Sequence, residues 1–172
     1  MIKILGTTAA VAALALTAAP AFAAPPPPTQ PDKQATATAR IIKPLTLVWV
    51  DDLDLGSITL LDSGPTTVGI TRAGVFSCPG TAVSCSGATK VARYKITGVN
   101  NQLVTINSGN VSMVNQADAT KTLLLTVDAP ANVNLLNSGV AGTEFAIGGS
   151  VSVAGTTADG TYIGTFAVTV NY

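Results

Sequence analysis

The sequence predicts an all-β fold, an antiparallel β-sandwich, and three observations carry that prediction. Short runs rich in Val, Ile, Thr and aromatic residues alternate apolar with polar positions at period two, the pattern of half-buried strands. Clusters of Gly, Pro, Asn, Asp and Ser punctuate these runs. No segment has helical periodicity, and many short strands joined by turns favour two packed sheets.

The N-terminal part divides into two non-globular pieces before the domain begins. Residues 1–23 read as a signal peptide: Lys3 sits near the start, residues 9–17 are small and apolar, and Ala21-Phe22-Ala23 fits an A-x-A cleavage site. The apolar run falls short of the ~20 residues a spanning helix needs, so no membrane insertion is expected once the leader is removed. Residues 24–34, with Pro25-Pro26-Pro27-Pro28, read as an extended linker, because each proline removes a backbone donor. The β-sandwich domain is expected over residues 35–172.

Charge and composition exclude some partners. Charged residues are 10% of the chain, with nine basic and nine acidic; loss of Lys3 with the leader leaves eight basic residues. Such a domain has no net field to draw it to nucleic acid or to an anionic membrane. An abundance of Thr, Val, Ala, Gly and Asn fits an exported all-β protein with a neutral, hydroxyl-rich surface.

The strands are expected in order. Residues 34–42 alternate Ala with polar residues and end in Ile41 and Ile42, a strand with small side chains that Pro44 stops. Further strands are expected at 45–50, 54–60, 66–71, 91–97, 103–106, 111–114, 121–127 and 143–153, the last with a bulge at the Gly148-Gly149 pair. Residues 74–87 and 128–142 read as loops, the second with a short apolar patch at 133–136. The final run, 160–172, reads as one long strand in which Tyr162, Phe166, Val168 and Val170 form the bulkier face. Any neighbour for it beyond the preceding strands is expected from the N-terminal part or from another molecule.

Little in the sequence points to a reaction. Cys78 and Cys85 imply a disulfide in an exported chain. With no histidine, a Ser-His-Asp or Cys-His arrangement cannot be built within this chain, and two thiols cannot complete a zinc site. Asp51, Asp52 and Asp54 form the one dense group of candidate ligands. Calcium takes six to eight oxygens, but the glycine and bidentate glutamate of a calcium loop are missing, so a solvated turn is the expected reading and calcium the alternative. Trp49, Tyr94, Tyr162 and Phe166 suit either a sandwich core or a sugar-stacking platform, with the core the commoner role. No cofactor and no enzymatic activity are expected.

The run Ala35-Thr36-Ala37-Thr38-Ala39-Arg40-Ile41-Ile42-Lys43-Pro44-Leu45-Thr46-Leu47, then Asp52-Leu53-Asp54-Leu55-Gly56-Ser57-Ile58, resembles the start of a bacterial exported family named domain of unknown function 4402. The ending Gly160-Thr161-Tyr162-Ile163-Gly164-Thr165-Phe166-Ala167-Val168-Thr169-Val170-Asn171-Tyr172 is similar to that family's end, and to the end of the spore coat protein U group, which includes archaic chaperone-usher pilin subunits. The chain departs from that second group in lacking a first-strand cysteine and in placing Cys78 and Cys85 mid-chain.

The resemblance implies an immunoglobulin-like, pilin-like sandwich in the periplasm, on the outer surface or outside a Gram-negative bacterium. Two functions are then in competition. One is a surface-structural protein, a fimbrial or filament subunit assembled by strand donation among copies of itself or related subunits. In it Ala35, Ala37, Ala39 and Ile41 form the donor strand, and Tyr162, Phe166, Val168 and Val170 the acceptor or core strand. The other is a monomeric periplasmic or surface binding domain of unknown ligand.

Overall fold

The computed structural model describes residues 35–62, 64–136 and 139–172. The chain divides into two compact units, Met1–Ala39 and Arg40–Tyr172. Of the first unit, residues 35–39 are described; they are exposed and lie in no strand. The expected signal peptide and linker fall outside the described residues.

The second unit is all-β and antiparallel, with thirteen strands and no helix among the described residues. The strands are β1 (Thr46–Asp51), β2 (Ser57–Leu60), β3 (Thr66–Ile70), β4 (Phe76–Ser77), β5 (Val83–Ser86), β6 (Ala92–Thr97), β7 (Leu103–Ser108), β8 (Val111–Asn115), β9 (Thr122–Asp128), β10 (Asn132–Asn134), β11 (Thr143–Val153), β12 (Tyr162–Ile163) and β13 (Val168–Asn171). The largest sheet runs β1-β6-β11-β9-β8-β12, with β3 and β4 attached through β11. Two smaller sheets, β10-β7-β13 and β2-β5, supply the opposing layers.

Two apolar clusters follow from that layering. The first joins Ala92 and Ile96 of β6 and Phe145 and Ile147 of β11 to Val104 and Ile106 of β7, with Leu135. The second joins Val68 of β3, Leu125 of β9 and Val151 and Val153 of β11 to Val83 of β5. Leu53, Val127 and Phe166 pack against both, so one continuous apolar interior runs the length of the unit.

β11 is the element around which both halves assemble. Its first part, 143–147, pairs with β6; its second part pairs with β9 and β3. The change falls at Gly148 and Gly149, where the sequence predicts a bulge. A Cβ on Gly148 would strike the backbone of Ile70, Thr71 and Arg72, so glycine lets β3 come alongside as β6 departs. The register irregularity lies in β1 instead, between Trp49 and Asp51.

Other expectations are corrected. Residues 35–42 form no strand: they have no ladder partner among the described residues, and Ile41 is 91% exposed. The expected loops hold short strands: β4 in 74–87 turns back on the adjacent β3, while β5 in the same stretch and β10 in 128–142 find partners distant in sequence, β2 and β7. The long C-terminal strand is broken. β12 pairs with β8, residues 164–167 cross over, and β13 pairs with β7 in a different sheet. Gly164 makes the crossing by passing against Met113, where a Cβ would come within 2.8 Å of its side chain.

Candidate functional site

Two strands of opposite layers, β1 and β13, have one unpaired edge each. Among the described residues β1 pairs with β6 and β13 with β7, and neither has a second partner. Both edges flank the first apolar cluster. Leu45 and Leu47 pack against it from one side, and Val168 and Val170 from the other. Alternation puts these residues inward and leaves Thr46, Thr169 and Asn171 exposed.

The core-facing row of the large sheet ends at the β1 edge. Register places Trp49 beside Tyr94 and Tyr94 beside Phe145. The Tyr94 and Phe145 rings are stacked, with centroids 5.6 Å apart and planes 20° apart. Phe145 is 8% exposed, whereas Trp49, at the edge of the same row, is 57% exposed. Leu47, two residues earlier on that face, contacts the cluster, so Trp49 is a core-face residue without a cover.

Asp52 fixes this corner. Its carboxylate accepts a hydrogen bond from the Trp49 indole at 3.1 Å, which sets the ring's orientation. Burial raises the Tyr94 hydroxyl above its ordinary pKa, and the Asp52 charge raises it further. The other carboxylates go elsewhere. Asp51 sits opposite Arg93 in the ladder, and Asp54 caps its own turn by accepting from the Gly56 amide at 2.8 Å. Among the described residues no group of three or more His, Cys, Asp or Glu side chains is placed to hold a metal ion.

Tyr172 closes one end. Its hydroxyl accepts from the Val99 amide and donates to the Lys43 carbonyl. Gly98 makes room, since a Cβ there would lie 2.6 Å from the Tyr172 oxygen and 2.9 Å from Leu45. The residues just before β1, the last residue of the chain and the β6–β7 turn therefore meet at one end.

The remaining sequence candidates fall in different places. Phe166, Val168 and Val170 share the first cluster, but Tyr162 is apart from them in β12, its hydroxyl donating to Ala158. The sulfurs of Cys78 and Cys85 lie at disulfide distance, with Cα atoms 6.3 Å apart, and both residues pack against the second cluster. Ala35, Ala37, Ala39 and Ile41 are exposed. Sequence reasoning missed Tyr172 and the uncovered state of Trp49. The Leu45, Leu47, Trp49 alternation was a signal for the shared face, but nothing in one dimension marks a missing cover.

A protein-family model described as "Domain of unknown function (DUF4402)" matches residues 45–172. The chain belongs to that family. No curated protein and no solved structure matches it. The DUF4402 match starts at Leu45, so both open-edged strands, β1 and β13, lie inside the family domain and residues 35–44 precede it. No helix among the described residues of this DUF4402 protein is long and apolar enough to cross a membrane.

Proposed function

We propose that the chain is a non-enzymatic, exported surface-structural subunit with an immunoglobulin-like, pilin-like sandwich, which accepts residues 34–42 of a second copy along the unpaired edges of β1 and β13. The observation that carries this reading is Trp49, a core-face aromatic more than half exposed on β1, a strand with one unpaired edge. A β-strand laid along such an edge gains main-chain hydrogen bonds and covers the apolar row, the strand-addition mode of recognition. Ile41 is an exposed apolar side chain that such an insertion would bury, on the same face as Ala35, Ala37 and Ala39. The leader-like residues 1–23 support export, and the family resemblance supports a place at the surface of a Gram-negative cell.

Magnitudes set how the assembly behaves. Burying Ala35, Ala37, Ala39 and Ile41 contributes about 4–5 kcal/mol. Ladder hydrogen bonds add about 1 kcal/mol each. Association itself costs roughly 4–15 kcal/mol, so the complex is concentration-dependent.

The test deletes residues 24–40 and adds a peptide of residues 34–42. Strand donation predicts that the melting temperature rises with peptide concentration and that Trp49 fluorescence shifts to the blue as the indole is covered. A full-length chain that stays one monomeric species at every concentration, with no response from the truncated chain, overturns the subunit and leaves a monomeric binding domain.

A further inference from the structure

Residues 40–45 lead into β1, and three contacts tie them to the body of the domain. Arg40 donates to the Gln102 side-chain oxygen at 2.8 Å, the Lys43 carbonyl accepts from the Tyr172 hydroxyl at 2.8 Å, and Leu45 packs against the first apolar cluster. All three meet the β6–β7 turn. Gln102 belongs to it, Tyr172 also accepts from the Val99 amide, and Leu45 lies beside Gly98, where a Cβ would come within 2.9 Å of it.

The turn is a firm support. The Asn101 amide donates to the Leu135 carbonyl at 2.7 Å, the Leu135 amide donates to the Gln102 carbonyl at 2.9 Å, and Leu135 is fully buried. Asn101 holds a φ of 56°, a left-handed conformation that its short amide side chain tolerates. Tyr172 is anchored as well, since Asn171 before it pairs with Thr105 in the β13–β7 ladder.

Register shows where this route leads. Thr46 pairs with Thr97, the last residue of β6, so the residues before Thr46 run past the end of that strand and over the turn. To lie along its own β1, the chain would have to reverse within residues 43–45. That reversal takes Lys43 and Arg40 off the turn and breaks both of their bonds. Without the ties, a strand's own edge would be its preferred partner. A tethered segment has an effective concentration near millimolar at a neighbouring edge, whereas a segment from another molecule loses translational freedom on binding. Geometry that forbids closure removes that advantage.

We propose that Tyr172 and Gln102 form a latch that keeps residues 35–42 off their own β1 and so leaves that edge open for the same segment of a second copy. The latch rests on the strand-donation reading above and adds what directs donation outward. Lys43 and Arg40 are held by polar bonds alone, so the latch can be released by substitutions that leave the segment itself and the core unchanged.

The test is hydrogen exchange of the full chain at ~1 μM and ~100 μM, with Trp49, the one tryptophan, as a fluorescent reporter of the same edge. In the parent, β1 amides that point away from β6 should exchange freely at ~1 μM and gain protection only as concentration rises. Tyr172→Phe removes the Lys43 tie, and Gln102→Ala removes the Arg40 tie. In Tyr172→Phe those amides should slow about tenfold, and Trp49 emission should shift to the blue, equally at both concentrations. Gln102→Ala should act in the same direction by a smaller factor. Ile41→Ser in the Tyr172→Phe background, at a side chain 91% exposed in the parent, should reverse both effects. A purely structural role for Tyr172 has the opposite sign, since a loosened end exchanges faster. The latch is overturned if neither variant slows these amides at ~1 μM, or if the parent already protects them there as a monomer. A parent that gains no protection at ~100 μM overturns strand donation instead, and the variants at ~1 μM still decide the latch.

Discussion

The Tyr172 hydroxyl donates a hydrogen bond to the Lys43 carbonyl at 2.8 Å, across 129 positions of sequence. With the bond it accepts from Val99, it joins the entry to β1, the exit of β13 and the β6–β7 turn. Removing the oxygen leaves two backbone groups to find water. Tyr172→Phe should therefore lower stability by about 1–3 kcal/mol, read as a lower denaturation midpoint at unchanged slope. Faster exchange of the Val99 amide is the local signature, and an unchanged exchange rate would show that this bond does not hold the end together.

Phe166 packs against both apolar clusters from the crossing between β12 and β13. Phe166→Ala should cost about 3–5 kcal/mol, because the void opens where the clusters meet and neither sheet can collapse into it alone. Calorimetry is the measurement. A loss no larger than that of an exposed Leu124→Ala control would place the ring outside the interior.

The Cys78–Cys85 pair closes a short loop, at a sequence separation of seven residues. On the chain-entropy model reduction removes about 2.5 kcal/mol. Mass spectrometry of the freshly isolated chain should show two hydrogens fewer than the reduced mass. Titration of two free thiols would contradict the pairing.

The raised pKa of Tyr94 gives stability a pH dependence at the alkaline end. The folded chain holds the neutral phenol more tightly than the unfolded chain does. That contribution is therefore fully present below the unfolded value near 10 and is lost as pH rises through the folded value. Melting temperatures of the parent should fall as the pH rises above about 10, and Tyr94→Phe should flatten the fall. Asp52→Asn should weaken the dependence while keeping some of it, since burial is the larger cause.

Period-two alternation by itself determined the class of the fold and the position of most strands, because a strand's two faces meet different solvents wherever it lies. It also marked Phe166, Val168 and Val170 as one face. The tertiary structure decided which strands pair. Residues 160–172 keep unbroken alternation, yet β12 and β13 belong to different sheets, since alternation records which side is buried and not which neighbour supplies the hydrogen bonds. The same limit explains β5 in 74–87 and β10 in 128–142, short strands whose partners, β2 and β7, lie far away in sequence. The candidate site lay further from view. An uncovered Trp49 depends on where the facing sheet stops. Residue types and spacing carry the local preference, and long-range contacts assign each residue its surroundings.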